Sequence, residues 1–174
     1  MKTQHAIPVV ALLLLAAALA ACGGSPEPAS YSDPFAYCTA VGTADRPGAE
    51  YTGPAFSEDL ALALQRALNV PDTPLEIMQN GSTWRCMDGK VYGCFVGANL
   101  PCEAKADTSE EPTEAEVEFC QANPDADFIP AVVTGRETVY EWRCSGAQPE
   151  IVRQVSTVDA QGFIADIWYE LSPE

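Results

Sequence analysis

One short pattern occurs twice in this chain, and it limits the available folds more than any other feature. Thr83-Trp84-Arg85-Cys86 returns as Tyr140-Glu141-Trp142-Arg143-Cys144. An aromatic-Cys pair precedes each copy, Tyr37-Cys38 or Phe119-Cys120. Fifteen residues after each of those cysteines stands the glycine of a Thr-Gly pair, Thr52-Gly53 or Thr134-Gly135. Identical spacing between otherwise different neighbourhoods indicates a divergent internal duplication. The half-repeats run from about 31 to 107 and from 113 to 174, and the first carries a longer insert before its Trp-Arg-Cys.

The amino terminus assigns a compartment. Lys2 precedes an apolar run from Ala6 to Ala21, which is short for a bilayer span and suited to a signal-peptide core. The run closes in Leu19-Ala20-Ala21-Cys22, a tetrad that resembles the lipobox of bacterial lipoproteins. The resemblance implies that residues 1–21 are removed and that Cys22 becomes a lipidated amino terminus. It also implies a membrane partner through that lipid. Several acyl chains, at about 0.8 kcal/mol per buried methylene, would hold such a protein firmly. Gly23 follows the cysteine where enterobacterial lipoproteins retained in the inner membrane carry Asp, so the resemblance points to the outer membrane and the periplasm. Residues 22–30, rich in Gly, Ser and Pro, read as a flexible tether, and residues 31–174 as a single periplasmic domain.

Cys22 apart, six cysteines remain: Cys38, Cys86, Cys94, Cys102, Cys120 and Cys144. An even number in an exported chain implies disulfides, and six cysteines allow fifteen pairings. The repeat narrows the choice. If the halves fold alike, Cys38 joins Cys86 and Cys120 joins Cys144, and Cys94 and Cys102 then close a short loop around Gly97 and Pro101.

Local signals outline the elements. Asp33-Pro34 predicts a capped helix through Tyr37 and Cys38 that stops near Gly42. Thr113 with Glu116 forms a capping-box pattern before Val117, Phe119 and Cys120, and Asn123-Pro124 ends that helix. Leu60, Leu62, Leu64, Ala67 and Leu68 fit a helix between Phe56 and Asn69. Thr83 to Cys86, Asp88-Gly89 and Lys90 to Val96 read as a hairpin-like strand pair. Strand composition also marks 128–134, 137–144, 150–158 and 163–171, three of which could form a meander, and the acidic stretch 103–112 joins the halves. The expected class is α+β, disulfide-stapled, with small antiparallel sheets and short helices.

Removing Lys2 from the nine basic residues leaves eight Lys and Arg against twenty-five Asp and Glu, a net charge of −17. Such a surface repels phosphate backbones, so nucleic acid is not an expected partner, and it favours basic proteins. His5, the only histidine, leaves with the signal, which removes Ser-His, Cys-His and His-ligated metal mechanisms from the mature chain. No Cys-x-x-Cys is present. Asn123-Pro124-Asp125-Ala126-Asp127 alternates oxygen side chains as a calcium loop does, but Phe128 and Thr134 stand where that loop needs Gly and Glu. No catalytic residue, metal or cofactor is therefore assigned.

Strand alternation puts Tyr140, Trp142 and Cys144 on one face and Glu141 and Arg143 on the other. Each tryptophan then packs against its disulfide as core, or lines an aromatic groove open to solvent. Arg85 and Arg143, at equivalent positions, either form cross-strand ion pairs or, with Trp84 and Trp142, contact a ligand. The aromatic-x-Cys strands near a glycine turn loosely resemble small disulfide-stapled lipoproteins that inhibit lysozyme. The expected function is binding of a basic protein or a cell-wall component, and the competing class is a carboxylate-dependent cell-wall hydrolase.

Overall fold

The computed structural model describes residues 29–173; the signal segment, Cys22 and most of the tether lie outside the described residues. The described chain is α+β, with two small antiparallel sheets, short helices and three disulfides. None of its helices is long and apolar enough to cross a membrane.

The helices begin and end where local chemistry requires. Helix α1 (Pro34–Val41) starts with Asp33 accepting from the Ala36 amide at 2.7 Å, with Pro34 supplying a preset φ, and Gly42 closes it at positive φ. Helix α2 (Glu58–Leu68) is capped by Ser57 and ends on Asn69 in the left-handed region. The short α3 (Leu75–Asn80) follows. Helix α4 (Glu114–Ala122) carries a reciprocal capping box, with the Glu116 carboxylate accepting from the Thr113 amide at 2.5 Å.

Strands β1 (Ser82–Met87) and β2 (Lys90–Phe95) form a hairpin. Asp88 and Gly89, both at positive φ, make the two-residue turn whose twist matches the strands. On β2 the next neighbour is β5 (Tyr169–Leu171), from the far end of the chain. Gly93 makes that docking possible, because a Cβ there would lie 2.8 Å from a Leu171 methyl group. This three-stranded sheet is covered on both faces. One face, with Trp84, Cys86, Val91 and Leu171, packs against α1 and α2 in a core of twelve buried residues. The other packs Tyr92 and Cys94 against Cys102, Phe163, Trp168 and Ile167.

The second sheet is the hairpin of β3 (Tyr140–Ser145) and β4 (Gln148–Gln154). Its core holds four buried residues, Cys120, Ile129, Trp142 and Cys144. The expected meander does not form. Residues 163–171 contain a 3-10 turn at Ala165–Ile167 and only the brief β5, which leaves its own half for β2. The strand expected over 128–134 is also replaced. The Ile129 amide donates once to the Trp142 carbonyl, and Pro130, which has no N–H to continue a ladder, then caps α5 (Ala131–Thr134). After β4, the Val155 amide donates to Val139, which turns the chain away from the predicted continuation to Val158.

The disulfides are Cys38–Cys86, Cys94–Cys102 and Cys120–Cys144. Matching hydrogen bonds accompany the two equivalent bridges. The amides of Cys86 and Cys144 each donate at 2.9 Å to an alanine carbonyl, Ala44 or Ala126, six residues after the first cysteine of its half. One residue earlier, Thr43 Oγ1 accepts from Asp88 N and Asp125 Oδ1 from Gly146 N. Asn123 and Asp125 thus serve the turn after α4, Asn123 by donating to Phe119. Among the described residues no group of three or more His, Cys, Asp or Glu side chains could hold a metal ion.

Candidate functional site

The repeated Trp-Arg-Cys reaches two different environments. Trp84 meets Tyr37 and Tyr51 edge-on, at ring separations of 5.9 and 4.9 Å, and donates from Nε1 to the Ala55 carbonyl at 2.7 Å. Together with the insert that contains α2, these rings bury it. Thirty residues separate Gly53 from Trp84, but only six separate Gly135 from Trp142. That short connection brings no helix, and Trp142, although buried, lies at the floor of an open groove of about 400 Å³.

The groove is built where the halves meet. Leu100 and Pro101, in the loop closed by Cys94–Cys102, form one side. Phe128, Ile129 and Ala131 form another, and Arg136, Thr138 and Tyr140 of the short connection line the rest, with Val155 at the margin. Phe128 is 62% exposed, and Leu100 and Val155 are exposed as well. These three are the large apolar side chains of the lining that are exposed. Val132, next to Ala131 on α5, is 91% exposed.

The polar side chains of the lining are Asn99, Thr134, Arg136, Thr138, Tyr140 and Glu141. The Arg136 guanidinium donates to the Asn99 carbonyl at 3.4 Å, a long bond that spans from one half to the other. Glu141 is the one carboxylate in the lining, and Arg153 holds it at 2.7 Å. Glycoside hydrolysis by carboxylates needs two such groups about 5 to 9.5 Å apart. Burial first, and then the carboxylate of Glu110, push the Tyr140 phenol above its ordinary pKa, so that it remains a donor toward Glu110.

Arg143 and Arg85 diverge further than the tryptophans. Arg143 is half exposed and pairs with Glu150, its cross-strand neighbour, at 2.9 Å. Arg85 is 0% exposed. Its guanidinium lies between the rings of Phe163 and Trp168, 4.5 and 4.4 Å from their centroids, and donates to Asp159 and, at 3.0 Å, to Gln161. Gln161 continues to Asp45 at 2.9 Å, and Lys105 completes the cluster on Asp45 and on the Gln161 carbonyl. Burial pushes the Asp159 carboxyl up, but hydrogen bonds from Arg85 and from the Phe163 and Gln161 amides outweigh it and hold the carboxyl below its ordinary value. Of the four side chains expected to contact a ligand, Trp84 and Arg85 are enclosed, Arg143 sits on the outer face of β3, and Trp142 reaches the groove.

Sequence reasoning did not single out Phe128, Leu100, Arg136 or Val155. In the sequence Phe128 stands out only where a calcium loop would need Gly. Its place beside Trp142 follows from the Ile129 amide on the Trp142 carbonyl, a contact that sequence spacing does not encode. A second depression, of about 280 Å³, lies at the end of α2 around Gln65, Asn69 and Pro71.

Comparison with protein-family models, with curated proteins and with solved structures finds no match.

Proposed function

We propose that this is a lipid-anchored protein of the bacterial envelope, held at the outer membrane through Cys22 and facing the periplasm, whose domain binds a basic protein or a cell-wall component. The anchor rests on Leu19-Ala20-Ala21-Cys22, and the observation that carries the binding reading is the open groove over Trp142, with Phe128, Leu100 and Val155 exposed in its walls, on a chain with a large excess of acid. Acidic charge accelerates encounter with a basic partner, and apolar walls supply contact energy once water is displaced. Within the groove lining itself the one carboxylate, Glu141, is paired with Arg153, whereas a carboxylate hydrolase needs a free acid and base facing each other.

Two measurements test the reading in cells. Palmitate labelling should mark the protein and should be lost in Cys22→Ser; persistent label in that variant removes the anchor. Cross-linking in living cells should capture an envelope partner. Purified lysozyme, as a basic probe, should be retained at low salt and released as salt rises, since screening acts over about 8 Å near physiological ionic strength. Turnover of peptidoglycan by the purified domain, abolished by carboxylate substitutions that leave it folded, would replace binding with hydrolysis.

A further inference from the structure

Resting on the binding reading above, the geometry points to the groove over Trp142 as the docking site for an extended protein segment that presents one apolar anchor flanked by Lys or Arg. The groove volume of about 400 Å³ suits one large side chain, and the exposed Phe128 offers an aromatic wall beside it. Aromatic anchors in such desolvated pockets dominate the energetics of protein interfaces.

Charge selects the flanks. Asp127 adjoins Phe128, Glu110 meets the Tyr140 hydroxyl at 3.4 Å, Glu137 accepts from the Arg136 amide at 2.9 Å, and Glu141 lies in the wall. Arg153 balances only Glu141. Arg136 is the one cation in the lining, and its bond to the neutral Asn99 carbonyl leaves its charge in place; with Arg153 it offsets two of these four carboxylates, so the margin of the groove keeps a net negative charge. A segment with basic residues on both sides of its anchor meets that margin favourably. An acidic segment, a nucleic acid or an anionic membrane surface meets repulsion.

The floor and sides are fixed before anything binds. Trp142 is held by the adjoining Cys120–Cys144 bridge and its own Nε1 contact to Thr138, and the Leu100 side belongs to the loop closed by Cys94–Cys102. Preorganised walls reduce the ordering cost of association.

The test uses the mature protein and a fluorescent peptide that alternates Lys and Ser around one central Trp. Variants of the probe replace the Trp by Ala or every Lys by Glu. Expected is saturable binding that falls roughly tenfold or more with the Ala probe, with the Glu probe, and with Phe128→Ala protein. Phe128 is exposed, so the variant should keep its circular dichroism and its disulfides. Val158→Ala, an exposed apolar side chain outside the groove, should leave affinity unchanged. Equal affinity for the Trp and Ala probes, or for wild type and Phe128→Ala, overturns the docking site. Lysozyme measured in the same assay separates the two levels of the argument. If it is retained equally by Phe128→Ala, binding stands and the groove assignment falls; if neither lysozyme nor any peptide is retained, both fall.

Discussion

In the first half Trp-Arg-Cys is closed on both sides; in the second Trp142, although buried, borders a groove, and Arg143 is open to water. Trp84 lies under the insert that carries α2, and Arg85 lies under the strap of residues that returns from the end of the chain. Trp142 faces a groove, and Arg143 faces water. Both copies nevertheless close the same disulfide and the same backbone bonds from Cys to Ala. The duplicated motif therefore specifies a staple and a strand, while the material added around it decides whether the strand becomes core or surface. The half without an insert is the half whose tryptophan borders the groove.

The arginines give the sharpest way to break this comparison. Arg85→Met leaves Asp159, whose side chain is 9% exposed, without its cation, and such removals cost about 3 to 5 kcal/mol. Arg143→Met removes an exposed pair, and about 0 to 1 kcal/mol is expected. Urea unfolding of the two variants should therefore differ severalfold in free energy. Adding Asp159→Leu to Arg85→Met should restore part of the loss, because it removes the stranded charge. Equal costs at the two arginines would show that the halves are energetically alike despite their different burial.

Next in size is the loss of one bridge. In the chain-entropy model the loops closed by Cys38–Cys86 and Cys120–Cys144 confer about 4 and about 3.5 kcal/mol, so the expected totals are similar. The distribution should differ. Cys120→Ser with Cys144→Ser acts on a core of four buried residues, and hydrogen exchange should rise in α4, β3 and β4 while β1 and β2 stay protected. Cys38→Ser with Cys86→Ser acts on the twelve-residue core that β5 also completes, and protection should fall in both sheets. Exchange that rises uniformly in the Cys120→Ser, Cys144→Ser protein would mean that the second half has no stability of its own to lose.

What could be read from sequence was what neighbours in the chain decide. Asp33 and Thr113 cap helices, and Asp88-Gly89 turns a hairpin, because each acts within a few residues of itself. The bridges were legible through the repeat, which ties distant cysteines to equivalent positions. Equal spacing misled at the Thr-Gly pairs. Gly53 is required by crowding, since a Cβ would lie 2.3 Å from the Ser32 carbonyl oxygen, whereas Gly135 ends α5 at φ +86°. The fate of Arg85 was not legible, because its partners lie more than seventy residues away. The groove was legible only at Trp142, since its other walls come from a disulfide loop of the first half and from a segment whose Pro130 overrides its strand composition.

The smallest expected effect concerns pH, and it refines the contrast between the two arginines. The Asp159 carboxyl sits below its ordinary value in the folded protein, as the net result of burial opposed by stronger hydrogen bonding, so the shift is a residual. A carboxylate with a depressed folded pKa binds more protons when unfolded. Its stabilisation is complete above the unfolded value of about 4 and is lost as pH falls through the lower folded value. Asp45, held down first by Lys105, and Glu170, held down first by Lys90, act in the same window. The informative quantity is therefore the difference between variants. Asp159→Asn should be less stable than wild type at neutral pH, with the gap narrowing as pH drops below about 4. Added salt separates the halves once more. It should weaken the contribution of the exposed Arg143–Glu150 pair, half in water on both sides, and leave that of the enclosed Arg85–Asp159 pair nearly intact. A gap between wild type and Asp159→Asn that stays constant through the acid range would show that the carboxylate charge does not hold Arg85, leaving Gln161 and the Phe163 and Trp168 rings as its restraints.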